Sequence, residues 1–165
     1  GNVLKINTIS GSGTTAIGQL EAPSQLTMPN QPAFLIANNS DQNNVANDDT
    51  VVFGTEIFDQ NNDVSSNTFT APVTGRYFLN AGIRVDNMVS GTTHHSPKIV
   101  TSNREYRTIL EISSNITYAH FHVSALADMD AGDTAIVRFG QSGGSASADI
   151  PNDANRTHFS GYLVA

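Results

Sequence analysis

Cysteine is absent from this sequence, so neither disulfides nor thiolate metal sites can hold the fold, and nothing marks an oxidising compartment. Charge is sparse at 14% of residues, and basic residues are the scarcer kind: 8 Lys plus Arg against 15 Asp plus Glu, a formal net charge of −7. No basic cluster interrupts that balance, which argues against nucleic acid or an anionic membrane as the partner. Long apolar runs are missing as well. Residues 1–13 contain Leu4, Ile6 and Ile9 but no continuous stretch, so neither a signal peptide nor a transmembrane helix is expected there. Lys5 stands where a myristoylation motif needs Ser or Thr. Assembly in a cytoplasm is the expectation. Catalytic signatures are lacking too: there is no Gly-x-Ser-x-Gly elbow, no His-Glu-x-x-His and no phosphate-cradling loop. No enzyme activity and no cofactor are expected.

What is present suits short strands joined by turns. Hydrophobic residues make up 38% of the chain, and Asn, Gly, Ser and Thr fill much of the rest. At 165 residues there is room for one domain with a real core plus an arm. Residues 1–31 read as the arm, with one short alternating strand over Val3 to Ile9, and residues 32–165 as the domain. Within the domain, Ala33 to Ala37 and Thr50 to Phe58 are apolar, separated by the polar stretch Asn38 to Asp49. After Gly75 the alternation is strict, with Tyr77, Leu79, Ala81, Ile83 and Val85 on one face. Met88 to Pro97 reads as turn-like, Tyr106 to Ile112 and Ile116 to Leu126 as strands, and Asp128 to Asp133 as a hairpin turn into a strand over Thr134 to Phe139. His158 to Val164 closes the set. Eight or so strands without a helical period predict an all-β, antiparallel two-sheet sandwich.

One ordered set of motifs carries a resemblance. Phe69-Thr70-Ala71-Pro72-Val73-Thr74-Gly75-Arg76-Tyr77, the Gly132-Asp133 turn, and the closing Phe159-Ser160-Gly161-Tyr162-Leu163 together resemble the C1q-like domain family. Pro32-Ala33-Phe34 and Val51-Val52-Phe53 stand where that family has its first strands. The resemblance spans residues 32–165 and implies a jelly roll related to tumour necrosis factor, a compact homotrimer, and binding rather than catalysis. No collagen-like Gly-x-y run precedes the domain. The opening Val3-Leu4-Lys5-Ile6-Asn7-Thr8-Ile9, with its Gly-Ser-Gly turn and Thr14-Thr15-Ala16-Ile17, resembles the start of structural proteins from tailed phages of marine bacteria.

Candidate sites follow from side-chain chemistry. His120 and His122 share a strand face that a threefold axis would triplicate into a metal site, against the plainer reading of surface or interface residues. His94-His95 has no nearby carboxylate. Asp59-x-Asn61-x-Asp63 imitates the start of a calcium loop, but Val64 and Thr70 occupy the places that need Gly and Glu. Asp128, Asp130 and Asp133 repel one another unless solvated or neutralised. Solvation is the simpler expectation, and no metal is expected. Sequons at Asn38, Asn115 and Asn155 carry sugar only in a glycosylating pathway.

If Tyr77, Leu79, Ala81, Ile83 and Val85 face the core, Phe78 must emerge on the opposite face. By the same alternation Tyr162 emerges beside it, and these two rings are the expected trimer interface. The expected function is a non-enzymatic phage virion component, a capsid decoration or a head or tail fibre. Its arm would attach to capsid or tail proteins, and its location would be the virion. The alternative is a module at a phage or bacterial surface that binds a host receptor or glycan through Asn38 to Asp49 and Val85 to Asn103.

Overall fold

The computed structural model describes residues 28–143 and 148–165. The arm lies almost wholly outside the described residues. Eleven strands are found among them: β1 Ala33–Ala37, β2 Asp49–Thr50, β3 Thr55–Asp59, β4 Val64–Ser65, β5 Thr68–Thr70, β6 Gly75–Met88, β7 His94–Thr101, β8 Glu105–Arg107, β9 Ile116–Met129, β10 Thr134–Ser142 and β11 His158–Leu163. They form two antiparallel sheets. The first runs β3-β1-β11-β6-β9; the second runs β4-β5-β10-β7-β8, with β2 also paired to β10. The expected all-β sandwich is what forms, with no helix among the described residues.

The alternation in β6 decides where the core sits. Tyr77, Leu79, Ala81, Ile83 and Val85 are all buried, and across the interior they meet Ile99, Ala135, Val137 and Phe139 from the second sheet. Phe34 of β1 stacks on Phe69 of β5 at 4.7 Å between ring centroids and meets Phe159 of β11 edge-on at 5.0 Å. This aromatic cluster staples one sheet to the other, and burying each ring contributes roughly 1.5–3 kcal/mol. Gly161 is required beside it. A Cβ there would lie 2.8 Å from Phe34 Cε1 and 2.7 Å from Leu79 Cδ2, so only glycine lets β11 close over the rings.

The Ala71-Pro72-Val73-Thr74-Gly75 stretch is a corner that carries the chain from the second sheet to the first. Tyr77 Oη donates to Val73 O at 2.8 Å, while Ala71 N donates to Asp133 O and Gly132 N to Ala71 O. Those bonds tie the corner to the Asp128–Asp133 turn. That turn is not a hairpin: β9 and β10 belong to different sheets, so it is a second crossover at the same end of the sandwich. Gly132 does adopt the left-handed conformation there, at φ +93°.

Three other expectations are corrected. Thr50 to Phe58 is not one strand, because only Asp49–Thr50 and Thr55–Asp59 pair and the chain between them drops Val51 and Phe53 into the core. Most of the second half of Met88 to Pro97 is strand, with β7 lying inside its sheet despite Pro97. His95 N donates to Leu110 O and Pro97 O accepts from Thr108 N, so by alternation the missing N–H of Pro97 falls on the β8 side, where pairing is already thinning. Correspondingly, Tyr106 to Ile112 shrinks to β8 and an isolated Leu110 bridge.

Candidate functional site

The outer face of the first sheet is assembled from five strands in register. Tyr162 of β11 is the Cα partner of Phe78 of β6, and Phe78 is in turn partnered by Leu126 of β9. The Phe78 and Tyr162 rings lie 5.7 Å apart, as neighbours on the face opposite the core. Phe78 is half-buried by its neighbours, whereas Tyr162 is 49% exposed and Leu126 57%. Leu35 joins the face from β1, and its partner on β3 is Phe58, also exposed. Leu126 and Phe58 were missed as site residues. The signal for Leu126 was present, because Phe121, Val123, Ala127 and Met129 alternate inward and leave the even positions of β9 outside.

Farther along the same face three imidazoles gather. His120 and His122 do share it, with ring centroids 4.3 Å apart, and His158 from β11 comes within 6.5 Å of His122. Gly82 lies beneath them: it is partnered by both His158 and His122, and a Cβ on it would meet His158 Cε1 at 2.5 Å. His120 Nε2 donates to the Arg156 carbonyl at 2.8 Å. Burial, above all, holds the pKa of His120 and of His158 below the usual histidine value, and the neighbouring imidazoles push in the same direction. Arg84, next in the row, is engaged by Asp86 at 2.8 Å and Asp153 at 3.0 Å, and its guanidinium lies 5.7 Å from the Tyr118 ring.

The acidic candidates are spent on structure. Asp59 Oδ1 accepts from Asp63 N and its Oδ2 from Val64 N, and Asn61 donates to Asn30 O, which makes this segment a self-capped turn. Asp128 pairs with Arg104 at 2.8 Å, Asp130 accepts from Thr74, and Asp133 accepts from Asn103 and from Asp130 N. Among the described residues no group of three or more His, Cys, Asp or Glu is arranged to hold a metal ion. His95 is buried beside Phe139, which lowers its pKa, while His94 is only half-buried. The sequon at Asn38 is closed, since its Nδ2 donates to Pro151 O at 2.7 Å and its Oδ1 accepts from Asp153 N.

The C1q domain model matches residues 33–164, a span that takes in both sheets and the Phe69–Tyr77 corner. The chain belongs to the C1q domain family. No curated protein sequence matches it. Among solved structures, the globular domain of zebrafish complement 1qA protein superposes with a TM-score of 0.60 at 18% identity, covering 81% of this chain and 98% of that one. Murine APRIL superposes with a TM-score of 0.59 at 12% identity, covering 81% and 99%. At those identities the likeness is one of fold. In this C1q domain the exposed apolar side chains Phe58, Leu126 and Tyr162 belong to the β3-β1-β11-β6-β9 sheet.

Proposed function

We propose that this chain is a non-enzymatic virion structural protein of a tailed phage, a capsid decoration or a head or tail fibre, that works as a homotrimer through the outer face of its first sheet. The observation that carries the trimer is the row Tyr162–Phe78–Leu126, partnered across three strands with two of its members about half exposed. Domains of this family typically form homotrimers. With about half its surface in water, Tyr162 has roughly 100 Å² left to bury, worth ~2.5 kcal/mol per subunit. A threefold assembly collects that gain three times. Attachment to capsid or tail proteins is assigned to residues 1–31, whose opening resembles phage structural proteins.

Light scattering at micromolar concentration should give a mass near three times 17.5 kDa. Changing Phe78 and Tyr162 together to Lys should yield monomers or aggregates, and a wild-type monomer or a trimeric double variant would remove this face from the assignment. Removing residues 1–31 should abolish incorporation into particles while leaving the trimer intact.

A further inference from the structure

The outer face of the second sheet carries a row of three cations. Arg138 of β10, Lys98 of β7 and Arg107 of β8 are successive Cα partners across adjacent strands. Such a row repels itself unless neutralised. Asp48 reaches in from the Asn38 to Asp49 segment, with Oδ1 2.6 Å from Lys98 Nζ and Oδ2 3.0 Å from Arg138 Nη1. Glu105 takes the other side, 3.2 Å from Lys98 Nζ and paired to Arg107. Three cations against two carboxylates leave one surplus positive charge, on a chain whose net charge is −7.

Beside this row is a cavity of about 330 Å³ lined by Asn47, Asp48, His94, Ser96, Lys98, Arg107, Gly140 and Ser142. Ser96 and Gly140 are Cα partners, and a Cβ on Gly140 would lie 3.0 Å from Ser96 O and 3.8 Å from Asn47 Oδ1, so the glycine keeps space open above that pair. The wall is fixed in advance. Asn47 Oδ1 accepts from Gln141 N, and Asp48 N donates to Phe139 O with Asp48 in a left-handed conformation at φ +71°. Ser96 is 2% exposed, and its Oγ is buried with no hydrogen-bond partner among the described residues. The Ser96 hydroxyl itself lies beneath the cavity surface, so the groups open to a ligand are those of the charged row and its neighbours.

The chemistry of that ligand follows from what is left over. One surplus positive charge asks for one carboxylate. A lining in which the His94 imidazole is the one ring and no aliphatic hydrocarbon side chain occurs asks for hydroxyls on the other sides, and a cavity at the small end of the range for ligand sites takes a single ring. We propose that this pocket binds one carboxylate-bearing sugar unit of an acidic glycan, of the uronic-acid class. The proposal rests on the chain acting as a binding module and not on the trimer, because the pocket lies on the sheet opposite the Phe78–Tyr162 face.

The test is calorimetry and saturation-transfer NMR on the full chain with glucuronic acid, glucose and acetate. Glucuronic acid should bind in the millimolar range, with glucose about tenfold weaker or more and acetate without measurable affinity. Arg107→Gln, at an exposed position, should remove the preference for glucuronic acid over glucose. Acetate binding as tightly as glucuronic acid would reduce the pocket to an anion site and overturn the proposal. Equal binding of the two sugars, or of none of the three probes, would overturn it as well. Light scattering on the variant reports the trimer separately, so loss of sugar binding in an intact trimer counts against this pocket alone.

Discussion

Gly75→Ala tests why a glycine begins the longest core strand. A left-handed conformation would be one reason for a glycine at this corner, but Gly75 does not have a positive φ. Its constraint is steric instead. A Cβ would lie 2.6 Å from Leu163 Cδ1 and 2.7 Å from the Ala165 carbonyl oxygen. The leucine methyl can rotate away, but the carbonyl cannot move freely, because Arg76 N donates to Ala165 O and Val164 N to Arg76 O, both at 2.7 Å. Accommodating one methyl therefore means losing or stretching two backbone bonds, at about 1–3 kcal/mol. For a chain of this length that lowers the melting temperature by ~3–10 °C. Thermal melts of Gly75→Ala in the full chain and in a chain lacking residues 164–165 separate the two causes. With the obstructing carbonyl removed, the alanine should cost under about 0.5 kcal/mol, since only the mobile Leu163 methyl remains. An equal cost in both backgrounds would refute the steric account and return the explanation to backbone conformation at residue 75.

The cation row makes stability sensitive to acid. The Lys98 ammonium, first among the causes, holds the carboxyls of Asp48 and Glu105 below their usual range; depressed carboxylates stabilise fully above that range and lose the contribution as pH falls through it. Asp48→Asn should therefore flatten the fall in melting temperature between about pH 5 and pH 2.5, and wild-type and variant curves that stay parallel would contradict the coupling. Melts with and without a strong chelator should coincide, because the candidate acidic side chains are committed to Arg104, Thr74, Asn103 and backbone N–H groups. A shift of several degrees would mean that the three histidines or the Asp128–Asp133 turn hold an ion after all.

Period two and turn chemistry are local properties, and they were legible residue by residue. The inward face of β6, the emergence of Phe78 and Tyr162 on the far side, and the corner from Phe69 to Tyr77 all follow from side chains alternating along a strand and from Pro and Gly at a bend. They determine the fold class without reference to anything distant. Partnership between strands far apart in the chain is another matter, because it depends on register. Nothing around His158 predicts that it will stand beside His122, nor anything around Asp48 that it will sit between Lys98 and Arg138. Pro97 argues locally against a strand, and it is tolerated only because its missing N–H falls on the side where pairing runs out. The requirement for Gly75 is of the same kind, set by a carbonyl ninety residues later in the chain. Local patterning determined that two sheets form and which faces are apolar; only the register of β10, β7 and β8, with the segment ending at Asp48 laid over it, decided that a polar pocket with one unpaired serine exists.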